Sequence, residues 1–245
     1  MDLSDRVALV TGGAHGIGRC VVDRLAERCR AVAVFDLAPR EEPTASNVTW
    51  HAVDVGEPEA VERGVREVAE RHGGIDVCVN NAGIMHSEPL VNVLDRDDRR
   101  HRLDTWRRVI DVDLTGVFLV TVNVVDEMVS RRSVGVIVNI SSVAAQGNPG
   151  QSAYSAAKAG VDALTATWGK ELGVHGIRAV GIAPGFTETE GGAAALGERA
   201  LAERVRQTPL RRLGAVDDIA AAVLAVIEND FITATTVQVD GGLVL

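Results

Sequence analysis

The chain has few aromatic residues, few cysteines and no long apolar run. Aromatic side chains make up 3% of its 245 residues, and Tyr154 is its single tyrosine. Cys20, Cys29 and Cys78 lack metal-like spacing and fall within apolar patterns, so we expect buried free thiols in a reducing cytoplasm. No apolar stretch approaches the roughly twenty residues that a membrane helix needs, and no export signal is evident. We therefore expect a cytoplasmic protein with no membrane partner.

Acidic side chains outnumber basic ones, 34 to 25, and give a formal net charge of -9. Such a surface repels nucleic-acid phosphates and anionic membranes, so we expect neither as a partner. The basic run at residues 99–102 is flanked by aspartates, and we interpret it as a solvated loop. The six histidines are scattered without the spacing of metal ligands, and we predict no metal site. A small molecule is the expected partner.

Apolar residues make up 46% of the chain, enough for one core in a single domain spanning residues 1–245. Short runs rich in valine and isoleucine alternate with longer segments of helical periodicity, as in repeated βαβ units. This pattern indicates an α/β fold with a doubly wound parallel sheet, Rossmann-like, of about seven strands flanked by helices. The predicted strands are residues 7–10, 31–35, 48–53, 77–79, 134–140, 178–182 and 236–239.

Two segments lack this periodicity. Residues 85–102 are polar and charged, and residues 186–197 are rich in glycine, threonine and alanine. In an open α/β sheet the ligand lies outside the carboxyl ends of the strands, where these segments would be placed. We expect them to form the rim of a substrate pocket.

A glycine-rich segment, Thr11 to Gly18, joins the first predicted strand to an amphipathic helix that begins near Ile17. Gly12, Gly16 and Gly18 allow the backbone to turn tightly and approach a pyrophosphate, whose charge the positive end of the helix favours. Their spacing differs from the commoner dinucleotide motif, so a plain strand-to-helix turn is the alternative. The position after the first strand favours a dinucleotide site.

Asp36 ends the second predicted strand, where a carboxylate can accept hydrogen bonds from both ribose hydroxyls of an adenosine. A 2'-phosphate would meet its negative charge, and we judge Arg40 too far along the loop to offset it. We therefore predict NAD rather than NADP as the cofactor. The alternative is that Asp36 is an ordinary turn residue.

Several motifs, in order along the chain, resemble those of the short-chain dehydrogenase/reductase family. They are Thr11 to Gly18, Asp54-Val55, Asn80 to Gly83, Asn139 to Ser142, Tyr154 to Lys158, and Pro184-Gly185. The C-terminal Asp240-Gly241-Gly242 also resembles the family's ending, which often packs in a tetramer interface. The resemblance covers essentially the whole chain, and it implies redox activity on a small alcohol or ketone and a homotetramer.

The resemblance also implies which residues hold the cofactor. In the family the first motif binds the pyrophosphate, the second contacts adenine, and the third lies beside the nicotinamide ribose. Thr187 and Thr189 resemble positions that hold the carboxamide, with ordinary loop polarity as the alternative. The cofactor-binding set that we predict is Gly12, His15, Gly16, Ile17, Gly18, Asp36, Asp54, Val55, Asn81, Ala82, Gly83, Tyr154, Lys158, Pro184, Gly185, Thr187 and Thr189.

Tyr154 and Lys158 are four residues apart, so on a helix their side chains share one face. A neighbouring ammonium favours tyrosinate by charge attraction and fits the phenol for proton transfer. An ordinary surface pair is the alternative. The resemblance gives Tyr154 the acid/base role and makes Lys158 a ligand of the nicotinamide ribose.

Two adjacent serines compete for the role of stabilising the substrate oxygen, which depends on placement more than on acidity. Counted from Asn139 at the strand end, Ser142 takes the family position; counted back from Tyr154, Ser141 does. We prefer Ser142, because strand ends are fixed while the intervening loop can lose a residue.

Asp113 stands where the family usually has an asparagine that supports the lysine through a water relay. An ionised Asp113 could accept from that water and would raise the pKa of Lys158, but it cannot donate as an amide does. The alternative is that Asp113 merely caps or solvates its helix. The catalytic set that we predict is Ser142, Tyr154, Lys158 and Asp113.

Three functional hypotheses follow. The first is an NAD-dependent oxidoreductase that interconverts a secondary alcohol and a ketone. The second is a 3-oxoacyl thioester reductase of fatty-acid or polyketide type, which Asp36 disfavours because such reductases usually use NADPH. The third is a non-catalytic, nucleotide-sensing protein, which Asp113 favours and the intact Tyr154 and Lys158 disfavour. Neither substrate identity nor direction follows from the residues.

Overall fold

Seven parallel strands form the central sheet of the protein. The computed structural model describes residues 1–38, 45–188 and 198–243, with the backbone alone for residues 198–200. The sheet strands are β1 (Val7–Thr11), β2 (Ala31–Asp36), β3 (Val48–Ala52), β4 (Val77–Asn80), β5 (Gly135–Ile140), β6 (Ile177–Pro184) and β9 (Thr235–Val239). They coincide with the predicted strands to within a residue or two at each end. Their order across the sheet is β3-β2-β1-β4-β5-β6-β9.

The strand order reverses between β1 and β4, which pair directly with Val10 opposite Val79. From β1 the chain winds outward to β2 and β3, and after β4 it winds the other way. This doubly wound topology confirms the predicted fold class. A crevice forms outside the carboxyl ends of the strands at such a reversal, which is where ligands bind in these sheets.

Helices cover both faces of the sheet. They are α1 (Gly16–Ala26), α2 (Pro58–His72), α3 (Leu103–Ile110), α4 (Gly116–Ser130), α5 (Ser152–Glu171), α6 (Glu198–Gln207) and α7 (Val216–Glu228). Helices α1 and α7 pack on one face, and α2, α4 and part of α5 on the other, each through its buried apolar stripe. The five inner strands are buried because both faces of the sheet are covered, whereas the edge strands β3 and β9 are only partly buried.

Helix α2 shows how local sequence sets these elements. Val61, Val65 and Val68 recur at helical spacing and are buried against the sheet. Pro58 occupies the first turn, where its missing N–H costs nothing, and Gly73 ends the helix with a left-handed φ of 80°. The stripe was predicted from the spacing alone.

Several short elements were not predicted. Five residues between α3 and α4, Asp111–Thr115, are wound as a π-helix, called here the π segment. Single turns of 3-10 helix lie at Val143–Gln146 and Gly173–His175. Strands β7 (Thr187–Glu188) and β8 (Gly214–Ala215) pair with each other outside the main sheet. None of these elements carries a periodic apolar pattern.

The cysteines follow the expectation only in part. Cys29 and Cys78 are buried and free, whereas Cys20 is partly exposed on α1. The Cys20 thiol donates to Asp217 Oδ1 at 3.0 Å. The expectation that Cys20 is buried is therefore wrong. Within the ranges given above, no helix combines the length and apolarity needed to cross a membrane.

Candidate active site

The loops after β1 and β4 are joined at the strand reversal by hydrogen bonds. Thr11 Oγ1 accepts from the backbone N–H groups of Asn81 and Ala82, at 3.1 and 3.0 Å. The Asn81 side-chain amide donates to the carbonyl of Gly12 at 2.8 Å and to that of Thr11 at 3.1 Å. These bonds fix the two walls of the crevice relative to each other.

Glycine is required at three positions of the loop after β1. Gly12 and Gly16 have φ angles of 65° and 52°, a region that side chains disfavour. A Cβ on Gly18 would lie 2.1 Å from the Gly12 carbonyl oxygen. His15 precedes α1 without a side-chain hydrogen bond to the helix end. The loop thus brings backbone close to the N-terminus of α1, a cradle that fits a pyrophosphate.

The Asp36 carboxylate is held in place by backbone donors at the end of β2. Its Oδ2 accepts from the N–H of Ala14 at 3.0 Å and its Oδ1 from the N–H of Leu37 at 2.8 Å. Each oxygen keeps further acceptor capacity for a hydroxyl. The glycine-rich loop therefore orients Asp36 towards the crevice, in the position predicted for the adenosine ribose.

A cleft of about 920 Å³ runs along this edge of the sheet, which is within the size range of ligand pockets. Many of the residues that we predicted to bind the cofactor line it together: Gly12, His15, Gly16, Asp36, Asp54, Val55, Asn81, Ala82 and Gly83. Glu57, Ile84, Asp104, Arg107, Arg108, Asp111 and Val112 line it as well and were not predicted. Asp104, Arg107 and Arg108 lack a local signal, because their place in the cleft depends on how α3 packs.

Five other predicted cofactor residues do not line this cleft: Ile17, Gly18, Pro184, Gly185 and Thr187. Ile17 packs against the core and Gly18 is buried at the loop. Gly185 follows β6 beside a smaller cavity of about 300 Å³, and the Thr187 hydroxyl donates to the Gly185 carbonyl at 3.1 Å. Thr189 lies outside the described residues.

Tyr154 and Lys158 lie on one face of α5, as their spacing predicted. The Lys158 ammonium nitrogen is 5.5 Å from the centre of the Tyr154 ring. Tyr154 is half-buried in the third position of the helix, whereas Lys158 is 4% exposed. The geometry places a cation beside a phenol at the edge of the site, the arrangement that supports proton transfer by tyrosine.

Two oxygens contact the Lys158 ammonium. Nζ donates to the Ile140 carbonyl at 3.1 Å and lies 3.2 Å from Asp113 Oδ2. The direction to Oδ2 misses hydrogen-bond geometry, so that contact is an ion pair. Burial lowers the pKa of Lys158, but the attraction of Asp113 and then of Tyr154 outweighs burial and raises it overall. Lys158 therefore keeps its charge in the protein interior.

Asp113 lies in the middle of the π segment and is 0% exposed. Its Oδ1 accepts from the N–H of Ile84 at 2.8 Å. Burial raises the pKa of Asp113, while Lys158 and the Ile84 N–H lower it. The side chain neither caps a helix nor meets solvent, and it reaches Lys158 directly. Asp113 is thus a direct ion-pair partner of Lys158.

The structure separates the two candidate serines. Ser141 is buried, and its hydroxyl donates to the Lys158 carbonyl at 3.4 Å. Ser142 is half-exposed on extended backbone, and its Oγ accepts from the N–H of Ala144 at 3.1 Å. An oxygen that already accepts directs its own proton elsewhere, so Ser142 is the better placed donor for a substrate oxygen.

A buried hydrogen-bonded chain lies beneath the site and was missed from the sequence. The Asn80 side-chain amide donates to Asn139 Oδ1 at 2.8 Å and to Thr121 Oγ1 at 2.9 Å. The Asn139 amide in turn donates to Thr165 Oγ1 at 2.9 Å. These hydrogen bonds link the ends of β4 and β5 to α4 and α5. Polar residues that end apolar strands were their only sequence signal.

A doubly wound sheet with a glycine cradle at the strand reversal is the architecture of dinucleotide-dependent oxidoreductases. A family model described as short chain dehydrogenase matches residues 6–199. The chain belongs to this family of oxidoreductases, which bind a nicotinamide cofactor.

Curated relatives match over the full length. The 3-oxoacyl-[acyl-carrier-protein] reductase FabG of Thermotoga maritima is 37% identical over 100% of both chains. The reductase of the same name from Vibrio cholerae is 34% identical over 99% of both chains. Among solved structures, ligand-free aldohexose dehydrogenase of Thermoplasma acidophilum superposes with a TM-score of 0.88 at 30% identity, covering 99% of this chain and 95% of that one.

Proposed function

We propose that the protein is an NAD-dependent oxidoreductase that interconverts a secondary alcohol and a ketone, with Tyr154 as the acid and base. The observation that carries this proposal is the pairing on α5, where the Lys158 ammonium lies 5.5 Å from the Tyr154 ring beside the crevice at the strand reversal. Membership of the short-chain dehydrogenase family supports it.

Each residue of the site has a defined task in carbonyl reduction. When bound, a reduced nicotinamide would supply a hydride, that is one proton with two electrons, to the carbonyl carbon. Tyr154 donates its phenolic proton to the carbonyl oxygen, and Ser142 donates a hydrogen bond to the same oxygen while charge develops there. Lys158 stabilises the tyrosinate that remains by charge attraction. Alcohol oxidation runs these steps in reverse.

The cofactor preference rests on Asp36. Backbone N–H groups hold its two oxygens at the end of β2, where they are positioned to accept from ribose hydroxyls. A 2'-phosphate at the same place would be repelled by this carboxylate. Arg40, which we judge too far along the loop to offset the charge of Asp36, lies outside the described residues. We therefore assign NAD as the dinucleotide.

Reduction of a 3-oxoacyl thioester is the second candidate. It is favoured by the full-length relatives, which are named for this activity at 34–37% identity. Its substrate also contains a ketone, so the same Tyr154, Lys158 and Ser142 would serve. The two candidates differ in the cofactor and in the group attached to the ketone.

The test is a comparison of kcat/KM for simple ketones and for 3-oxoacyl thioesters, each with NADH and with NADPH. We expect turnover with NADH preferred, and Asp36→Asn should reduce that preference by at least about tenfold, because like charges repel by several kcal/mol in such sites. Preference for NADPH together with thioesters would support the second candidate. Dinucleotide binding without turnover of any ketone or alcohol would favour the nucleotide-sensing hypothesis.

A further inference from the structure

Three ionisable side chains lie close together: those of Asp113, Lys158 and Tyr154. The Asp113 carboxylate is 3.2 Å from the Lys158 ammonium, which is 5.5 Å from the Tyr154 ring centre. Asp113 is fully buried and Lys158 nearly so, whereas Tyr154 is half-buried. The cation that lies over the Tyr154 ring is therefore itself paired with a carboxylate.

We infer that Asp113 is a positioning residue that holds Lys158 in place and offsets its charge, so that Tyr154 keeps its phenolic proton to higher pH than it would beside Lys158 alone. The inference rests on the proposed function for the role of Tyr154.

The geometry around Asp113 fixes the pair. Its Oδ1 is held by the N–H of Ile84 at 2.8 Å, and a Cβ on Gly83 would lie 2.8 Å from Oδ2 and 3.4 Å from Lys158 Nζ. On the other side Lys158 Nζ donates to the Ile140 carbonyl. Glycine at position 83 thus leaves just enough room for a direct contact, and the π segment carries the carboxylate into that space.

Charge balance gives the direction of the effect. One cation beside a phenol favours loss of the phenolic proton. When a carboxylate sits on the same cation, ionisation of Tyr154 places two negative charges around one positive charge at low water content, which is less favourable. The raised pKa of Lys158 is consistent with an ammonium that stays charged in this group.

A second carboxylate, Asp162, also acts on Lys158 from α5 and provides the matched control. It is half-buried and accepts from Thr236 Oγ1 at 2.9 Å, and its influence on Lys158 ranks below those of Asp113 and Tyr154. Asp162→Asn removes a charge by the same chemical change as Asp113→Asn, but without touching the ion pair.

The test is a pH titration of near-ultraviolet tyrosinate absorbance, which reports Tyr154 alone because the chain has one tyrosine. Tyr154→Phe gives the zero signal. We expect Asp113→Asn to ionise Tyr154 about one pH unit lower than the wild type, since a charge within a few ångströms has effects of this size. Asp162→Asn should shift it by less. An unchanged or higher midpoint in Asp113→Asn would overturn the inference.

The wild type alone supplies a second measurement, which does not depend on whether Asp113→Asn folds. The inference requires Tyr154 to remain protonated through neutral pH, so a tyrosinate band at neutral pH in the wild type contradicts it. Neither titration needs a substrate. A shifted midpoint in Asp113→Asn, together with a wild type that turns over no ketone, would retain the charge effect and reject the proposed function. Wild-type turnover without the shift in Asp113→Asn would reject the inference alone.

Discussion

At the scale of single residues, the site depends on close approaches that leave no spare volume. Gly83 is the clearest case, because its missing side chain lets Asp113 and Lys158 meet. Gly173 is a useful contrast, since a Cβ there would have no atom within 4 Å. A glycine-to-alanine change therefore creates a close contact with Asp113 at position 83 and no contact at position 173.

We expect Gly83→Ala to destabilise the protein by about 1–3 kcal/mol, the usual cost of forcing extra volume into a packed site. Gly173→Ala should stay within about 0.5 kcal/mol of the wild type, as for other open surface positions. Urea denaturation of both variants measures the difference. Equal stability of the two variants would mean that the volume beside Asp113 is not limiting.

The cysteines give a prediction about pH. Burial, followed by the hydrogen bond and charge of Asp217, raises the pKa of Cys20 from 9.0 to about 11. Because the thiolate is the reactive form, a raised pKa means less of it at neutral pH and slow alkylation that accelerates as the pH approaches 11.

Mass spectrometry of iodoacetamide-treated protein at several pH values checks this behaviour. Two pKa units correspond to about a hundredfold less thiolate than in an ordinary cysteine. Asp217→Ala should label faster at neutral pH, because it removes both the acceptor of the thiol hydrogen bond and the negative charge beside the thiol. Labelling of native Cys20 as fast as in the unfolded chain would contradict the account.

At the scale of elements, α5 carries both the acid/base pair and one end of the buried polar chain. Thr165 and Thr167 lie two residues apart on this helix, and each hydroxyl donates to the carbonyl four residues earlier. Thr165 is buried and also accepts from Asn139, whereas Thr167 is exposed. The two threonines thus differ mainly in this one contact and in burial.

We expect Thr165→Val to cost about 1–3 kcal/mol, because it leaves the buried Asn139 amide without its acceptor. Thr167→Val should be nearly neutral, since water replaces the lost contact at the surface. Chemical denaturation of the pair, with thermal melting as a second probe, provides the comparison. Similar stabilities would show that the polar chain does not contribute to the fold.

The sequence predicted the regular elements well, for a physical reason. The five inner strands are covered on both faces and are apolar on both sides, so periodicity detects them as runs rich in valine, isoleucine and alanine. The edge strands β3 and β9 mix apolar and polar residues. The tyrosine and lysine of α5 were likewise predictable, because a spacing of four fixes a shared face. Their family resemblance then supplied the role.

What the sequence could not predict depends on local winding and on distant packing. Nothing in residues 111–115 distinguishes a π segment from a continuous helix, yet that winding places Asp113 against Lys158. Arg107 and Arg108 line the cleft because they lie on α3, and the position of α3 depends on tertiary packing. The short β7 and β8 pairing joins segments too distant in sequence for any local pattern to indicate.

At the scale of the whole molecule, we predict a homotetramer on the strength of the family resemblance. Phe118, Val122 and Val129 on α4 are exposed at 47%, 46% and 41%, which is compatible with a surface covered by another subunit. Light scattering coupled to size-exclusion chromatography measures the mass. A monomer at working concentration would contradict this prediction.

The central claim, that Tyr154 is the proton donor and acceptor of a nicotinamide-dependent oxidoreductase, is tested most directly by turnover of Tyr154→Phe. This variant keeps the ring and the cofactor cradle, so NADH binding, followed by fluorescence, should be retained. We predict that its rate of ketone reduction is about 10²–10⁴-fold below that of the wild type, the usual contribution of a positioned acid. Reduction at the wild-type rate with NADH bound would contradict the account.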